Sequence, residues 1–215
     1  MRLRNIPEAK KAILNSPYVI QKPEEKKGSW DGVFPEKKPL HMEVGMGKGR
    51  FLMDMARLHP DINYLGVEMY DSVLYRAIQK MEEQEALPNL LFLCVDARLL
   101  PDLFGKGEID RIYLNFSDPW PKARHAKRRL TSGEFLERYA AILLPGCLLE
   151  FKTDNRELFE FSLEEIRQSE TFSLVSFTYD LHRDEVLCAG NVMTEYEEKF
   201  SAMGNPIYKL TASRN

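Results

Sequence analysis

The segment Leu40-His41-Met42-Glu43-Val44 runs straight into Gly45-Met46-Gly47-Lys48-Gly49, and no other stretch restricts the fold as tightly. Glycines directly after a short apolar strand let the backbone turn sharply and approach a ligand closely. From here the pattern alternates. Strands are expected at 40–44, 63–68, 90–95, 109–115, 147–152, 172–180 and 207–212. Helices are expected near 48–58, 71–85, 132–143 and 155–169, with a short one near 195–203. Short apolar strands alternating with amphipathic helices predict an α/β fold, a mostly parallel seven-stranded sheet with helices on both faces. Thr131-Ser132-Gly133-Glu134 has capping-box spacing, and Pro145-Gly146 marks the stop of the helix that follows it. Residues 1–38 read as an N-terminal extension to a domain at 39–215. Pro7, Pro17, Pro23 and Pro35 interrupt that extension, so no long regular element is expected there.

A length of 215 residues with 44% hydrophobic content suits one domain with a full core. No run of about 18 apolar residues predicts a membrane span, and the N-terminus lacks the apolar stretch of a signal peptide. Cys94, Cys147 and Cys188 are odd in number and widely spaced, which fits a reducing, cytoplasmic setting. The spacing of His41, His59, His125 and His182 suggests no metal site. The net charge is -3, yet Lys122-Ala123-Arg124-His125-Ala126-Lys127-Arg128-Arg129 is a dense basic run within an otherwise acidic body. One basic loop on an acidic protein suggests a directed contact with an anion.

Ligands of such sheets bind beyond the carboxyl ends of the strands. That rule selects Glu43 to Gly49, Glu68, Asp96, Asn115 to Lys122, and Thr153 to Asn155. Three ligands compete for the glycine loop. A nucleoside triphosphate is disfavoured because Lys48 is followed by Gly49, not by Ser or Thr. A dinucleotide needs a small residue where Arg50 stands, and its pyrophosphate does not favour Glu43. S-adenosylmethionine carries an ammonium and a sulfonium but no phosphate, so an acidic residue at the loop suits it. Glu68 can accept both ribose hydroxyls, and Asp96 can accept from an adenine amino group. Taken singly, each acid reads equally as a solvated strand end, or as a helix cap for Asp96. Three of them at successive strand ends beside Gly45 and Gly47 read as a set.

After the fourth strand stands Asn115-Phe116-Ser117-Asp118-Pro119-Trp120-Pro121-Lys122. Here the sequence resembles the bacterial tRNA (guanine-N7)-methyltransferases, through Glu43 to Gly49 (EVGMGKG), Asn115 to Lys122, the basic run to Arg129, Phe151 to Asn155 (FKTDN) and Thr194 to Glu197 (TEYE). The resemblance implies a Rossmann-like S-adenosylmethionine-dependent methyltransferase fold and a variable-loop guanine, at conventional tRNA position 46, as target. It implies that Glu43, Glu68, Asp96 and Asp118 contact or surround S-adenosylmethionine. Lys122, Asp154, Thr194, Glu195, Tyr196 and Glu197 would meet the tRNA, and Asp118 is the candidate nearest the reacting centre. Arg124, His125, Lys127, Arg128 and Arg129 are candidates for phosphate contact.

Other readings compete. Spacing alone gives Asp154 as the N-cap of a helix with Glu157 completing a capping box, and Thr194 with Glu197 as a second such cap. A solvated loop is the usual reading of such a basic run, but its place directly after the Asp118 loop of an acidic protein puts RNA contact ahead. Competing functions are a methyltransferase acting on a small molecule or protein, a non-catalytic RNA-binding module, and a nicotinamide dehydrogenase. Both a monomer and a homodimer are compatible with the sequence.

Overall fold

Apolar runs bounded by turn residues do become strands in the computed structural model, which describes residues 6–215. The strands are β1 Leu40–Val44, β2 Asn63–Val67, β3 Leu90–Leu93, β4 Ile109–Asn115, β5 Leu143–Thr153, β6 Phe172–Thr178 and β7 Tyr208–Arg214. They form one sheet in the order β3-β2-β1-β4-β5-β7-β6. β7 inserts antiparallel between β5 and β6, and the pairings from β3 through β5 are parallel. The helices are α1 Ala9–Asn15, α2 Arg50–Leu58, α3 Asp71–Glu82, α4 Leu100–Leu103, α5 Gly133–Ile142, α6 Arg156–Gln168, α7 Glu185–Cys188 and α8 Glu195–Ala202.

Two cores lie on opposite faces of the sheet. One joins Met42 and Val44 to Leu100, Phe135, Leu136, Leu158 and Phe159 of α4, α5 and α6. The other joins Tyr64, Phe92 and Tyr113 to Phe51, Leu52, Leu74 and Ile78 of α2 and α3. β1 lies between β2 and β4, so the strand order reverses there. The chain leaves these two strands in opposite directions, and a crevice opens beyond Glu43 and Asn115.

Two local expectations need correction. Thr131 does not begin a capping box. Its hydroxyl is 2.6 Å from Ser162 Oγ on α6, and Ser132 is the N-cap of α5, without a side-chain cap bond. The first free amide of α5, at Gly133, donates to the Glu165 carboxylate of α6 instead. Nor does Pro145-Gly146 stop α5. The helix ends at Ile142 because Leu143 is already paired with Ile109 in the sheet. The pairing then skips from Leu143 to Leu148, and Gly146 sits in the resulting bulge at φ 87°.

The segment before β1 is short on regular structure but is well packed. Tyr18 and Ile20 exchange backbone hydrogen bonds of 2.8 and 3.0 Å with Phe92 on the free edge of β3. Trp30 is 1% exposed, stacks on Phe104 with centroids 4.4 Å apart, and donates from Nε1 to the Leu103 carbonyl at 2.9 Å. Glu108 accepts from the amides of Gly28 and Trp30. Replacing Trp30 by Ala removes a large buried ring and orphans a carbonyl. Trp30→Ala is expected to cost about 3–5 kcal/mol of stability, measured by denaturant unfolding.

Candidate active site

At the carboxyl edge of β1 the glycines do what their positions ask. Gly45 and Gly47 have φ of 77° and 59°, a left-handed backbone that glycine adopts at little cost. This curl lets the amides of Gly45 and Met46 both donate to the Val67 carbonyl, at 2.9 and 3.1 Å, which ties the loop to β2. Gly49 is the N-cap of α2.

Around the loop the acids differ in surroundings. Glu43 is 2% exposed, and Asn115 Nδ2 donates to its Oε1 at 2.8 Å across the crevice. Its second oxygen, Oε2, has no protein partner, and neither has the buried Ser117 Oγ. Burial pushes the Glu43 carboxyl up to about 8, against the opposing effects of Asn115 and Lys152. Glu68 accepts from the Gly47 amide at 3.2 Å and the Tyr70 amide at 2.9 Å, which aims the carboxylate over the loop. Burial raises its pKa too, partly offset by those amides, and the Asp118 charge adds to the rise. Glu43, Glu68 and Asp118 therefore form one electrostatic neighbourhood. Asp96 is turned differently. It caps the short turn after β3 through the Arg98 amide at 2.9 Å and pairs with the Arg98 guanidinium at 2.6 Å. The capping reading of Asp96 holds in this structure, and its Arg98 pair is peripheral.

The loop after β4 is strained at both shoulders. Phe116 has φ 51° and Trp120 has φ 42°, a region that bulky side chains rarely occupy. Between them Asp118 is exposed, while the Phe116 amide donates to the Lys152 carbonyl at 2.8 Å. The basic run supplies what holds the far shoulder. Arg129 Nε donates to the Pro119 carbonyl at 3.0 Å and Nη2 to the Trp120 carbonyl at 3.2 Å, and its guanidinium lies 4.3 Å over the Phe161 ring. Arg129 is therefore not only an outward phosphate candidate: two of its donors hold the Asp118 loop. Arg128 lies over the Trp120 ring at 4.9 Å, His125 meets the same ring edge-on, and Lys127 pairs with Glu134 at 2.8 Å. Lys122 and Arg124 are exposed.

The TEYE segment at the start of α8 is mostly engaged within the protein. Thr194 caps the helix by accepting from the Glu197 amide at 2.9 Å. Glu195 pairs with Lys80 of α3, and Arg50 of α2 pairs with Glu198 at 2.6 Å. Tyr196 packs on Phe116 with centroids 4.9 Å apart, and its hydroxyl donates to Asp154 Oδ2 at 3.4 Å. Glu197 is fully buried. It pairs with Lys152 at 2.6 Å, lies 3.3 Å from His182, and accepts from Asn191 Nδ2 at 2.7 Å. Direct substrate contact by Glu197 is therefore corrected: its carboxylate faces inward and latches α8 over the carboxyl end of β5. Asp154 is not the cap of α6 either. Asn155 takes that place by accepting from the Leu158 amide at 2.8 Å, leaving Asp154 half-buried beside Tyr196.

Lys152, Asn191 and His182 were not among the candidates. The one available signal was a lysine directly after Leu148-Leu149-Glu150-Phe151, just before the strand ends. No group of three or more His, Cys, Asp or Glu with the geometry to hold a metal occurs among the described residues. No helix there is long and apolar enough to cross a membrane.

A family model described as "Putative methyltransferase" matches residues 37–210. The tRNA (guanine-N(7)-)-methyltransferase of Lachnoclostridium phytofermentans is 55% identical over 100% of this chain and 99% of its own. That of Geobacillus thermodenitrificans is 52% identical over 100% and 98%. Among solved structures, the 16S rRNA methyltransferase KamB superposes with a TM-score of 0.60 at 17% identity, covering 83% of this chain and 88% of that one. The aminoglycoside resistance methyltransferase NpmB1 gives 0.60 at 18% identity, covering 91% and 95%. At such identities these two likenesses speak for the Rossmann-like methyltransferase fold alone.

Two measurements test this geometry. Arg129→Ala removes both clamps on the strained loop, so amide exchange of the peptide covering 116–121 is expected to rise about tenfold or more. Arg129→Lys is not expected to restore it, because an ammonium cannot fork across two carbonyls. Glu43 gives the second test. Its folded pKa of about 8 lies above the ordinary 4.5, so the unfolded chain loses this proton first. This group's contribution to stability is intact below about pH 4.5 and falls as pH rises towards about 8, by up to about 1.4 kcal/mol per unit. Unfolding curves of Glu43→Gln across that window are expected to lack this component.

Proposed function

The chain belongs to the bacterial tRNA (guanine-N(7)-)-methyltransferase family, and on that premise we propose that it transfers the methyl group of S-adenosylmethionine to N7 of a guanine in tRNA. The observation that carries the cofactor assignment is the unpartnered Glu43 Oε2, buried at the strand-order reversal with Ser117 Oγ also free. A buried acceptor without a partner favours a donor-bearing ligand. The Glu68 and Asp118 side chains, with a Glu43 carboxyl that a bound cation would ionise, favour a cationic ligand over a pyrophosphate. S-adenosylmethionine meets both demands, having an ammonium, a sulfonium and no phosphate. When bound, it supplies an electrophilic methyl group.

Glu43 would hold the ammonium, aided by Asn115. Glu68, already oriented by two backbone amides, retains acceptor capacity for the ribose hydroxyls. Guanine N7 carries an available lone pair and no proton, so the reaction needs no general base. The protein's task is alignment of N7 with the methyl group, and the clamped loop from Phe116 to Trp120 suits it. Methylation leaves the guanine ring cationic. An exposed carboxylate on that loop, Asp118, would stabilise the growing positive charge more in the transition state than in the ground state. Lys122 and Arg124 would grip phosphates beside it, and Asp154, Glu195 and Tyr196 would border the entering nucleotide.

Incubation with unmodified tRNA and labelled S-adenosylmethionine is expected to yield 7-methylguanosine on nucleoside analysis. Methyl transfer to a small acceptor without RNA would overturn the assignment. Asp118→Ala is expected to lower the single-turnover rate on saturating tRNA by about 10²–10³, with little recovery in Asp118→Asn. The wild-type chemical step, at saturating cofactor, is expected to be nearly flat between about pH 6 and 8. A tenfold rise per pH unit there would signal a general base and a target atom other than N7.

A further inference from the structure

On the sheet face that carries Glu43, running from His41 and Tyr64 to Asn115 and Lys152, lies a cleft of about 260 Å³. Its floor includes Tyr64 of β2, Arg111 of β4, Glu150 of β5 and Lys209 of β7, and its walls include His59 and the turn at Gly190 and Asn191. The glycine loop, Glu68 and Asp118 do not line it, while Asn115 and Lys152 border its end nearest the crevice. Parity along the strands explains why polar groups gather here. Residues 111 and 113 share a face with Asn115, and Glu150 shares one with Lys152. Phe51 and Met55 of α2 wall one side of the cleft.

The groups lining the cleft are rich in donors and positive charge. Glu150 divides its two oxygens between Arg111 Nη1 at 3.0 Å and Lys209 Nζ at 3.2 Å, so two cations share one carboxylate. Lys152 is satisfied by Glu197. His41 is pushed down to about 4, by burial first and by Arg111 second, and is uncharged near neutrality. The Tyr113 hydroxyl is within 3.2 Å of His41 Nδ1. Tyr64 is the exception: it is fully buried and its hydroxyl has no partner. Arg111 donates to Glu150 and also approaches the Tyr113 hydroxyl, which leaves other N–H donors of its five unused. One surplus positive charge, unused guanidinium donors and an orphaned buried hydroxyl together call for a compact acceptor.

We propose that this cleft is a second ligand site, which takes a small phosphate-type oxyanion between Arg111, Lys209 and the Tyr64 hydroxyl. It adjoins the methyl-transfer crevice, which it meets at Asn115 and Lys152, but does not rest on that assignment. The same chemistry could come from a free phosphate ester or from an RNA phosphodiester. The enclosed volume lies below the range of ordinary ligand pockets, and the orphaned hydroxyl is fully buried, which favours the free, small source.

Calorimetric titration of the full chain with inorganic phosphate, and separately with adenosine 5′-monophosphate, tests this in phosphate-free buffer. Saturable phosphate binding that weakens with added salt is expected. Lys209→Met and Tyr64→Phe should each raise the phosphate Kd about tenfold. Tyr64→Phe removes a single buried oxygen and keeps the ring. It should raise Tm in anion-free buffer by about 2–4 °C while weakening phosphate binding, a split that a purely structural role would not produce. Absence of saturable binding, or affinities untouched by both variants, would show that the cleft holds water only and overturn the proposal. Loss of tRNA affinity in Lys209→Met with no phosphate binding by the wild type would assign the cations to RNA and overturn it equally.

Discussion

A carboxyl group taken out of water is costly unless something compensates it, and Glu43 receives one neutral hydrogen bond, from Asn115. Much of the site is arranged around that imbalance. β1 and β4 must lie side by side for Asn115 to reach Glu43, which fixes the reversal of strand order at this point. The positive-φ glycines let the backbone turn away above the carboxyl without covering Oε2. Lys152, a cation that acts on Glu43, is drawn off by Glu197. Its charge would otherwise neutralise the acid internally. The fold thus keeps a buried acceptor in want of a donor, a situation a bound cation relieves.

The layered architecture was legible because it rests on local patterns. Strand spacing, the glycine loop and the acids at strand ends all follow from residue type and period. What stayed hidden depends on pairs remote in sequence. Arg129 looked like its neighbours Lys127 and Arg128, and only the folded loop shows that it reaches back to carbonyls nine and ten residues away. Glu197 fits a capping box by spacing, and Thr194 does cap α8, yet the Glu197 side chain answers a lysine 45 residues earlier. Asp154 lost its cap role to the adjacent Asn155 because the boundary of α6 falls one residue later than expected. The strain at Phe116 and Trp120 could not be read at all, since neither residue type advertises a left-handed backbone.

The basic run and the TEYE segment share a division of labour. In each, part of a charged cluster is turned inward to hold the frame, and the remainder faces solvent. Arg129 clamps the Asp118 loop while Lys122 and Arg124 stay exposed. Glu197 locks α8 onto β5 while Tyr196 bridges to Phe116 and Asp154 on the loops after β4 and β5. Charged residues adjacent in sequence can therefore differ widely in cost when replaced. Inward ones lose buried partners, and outward ones lose little beyond screened surface charge.

The short backbone pairing of Tyr18 and Ile20 with Phe92 also bears on solubility. An open sheet has two rims of unpaired amides, and each is a template on which another chain can add. Here the segment before β1 occupies the rim at β3, leaving β6 as the uncovered border strand. Growth of a fibre by lateral strand addition needs both rims free on every molecule. With the β3 rim already engaged by its own chain, lateral strand addition is left to the rim at β6.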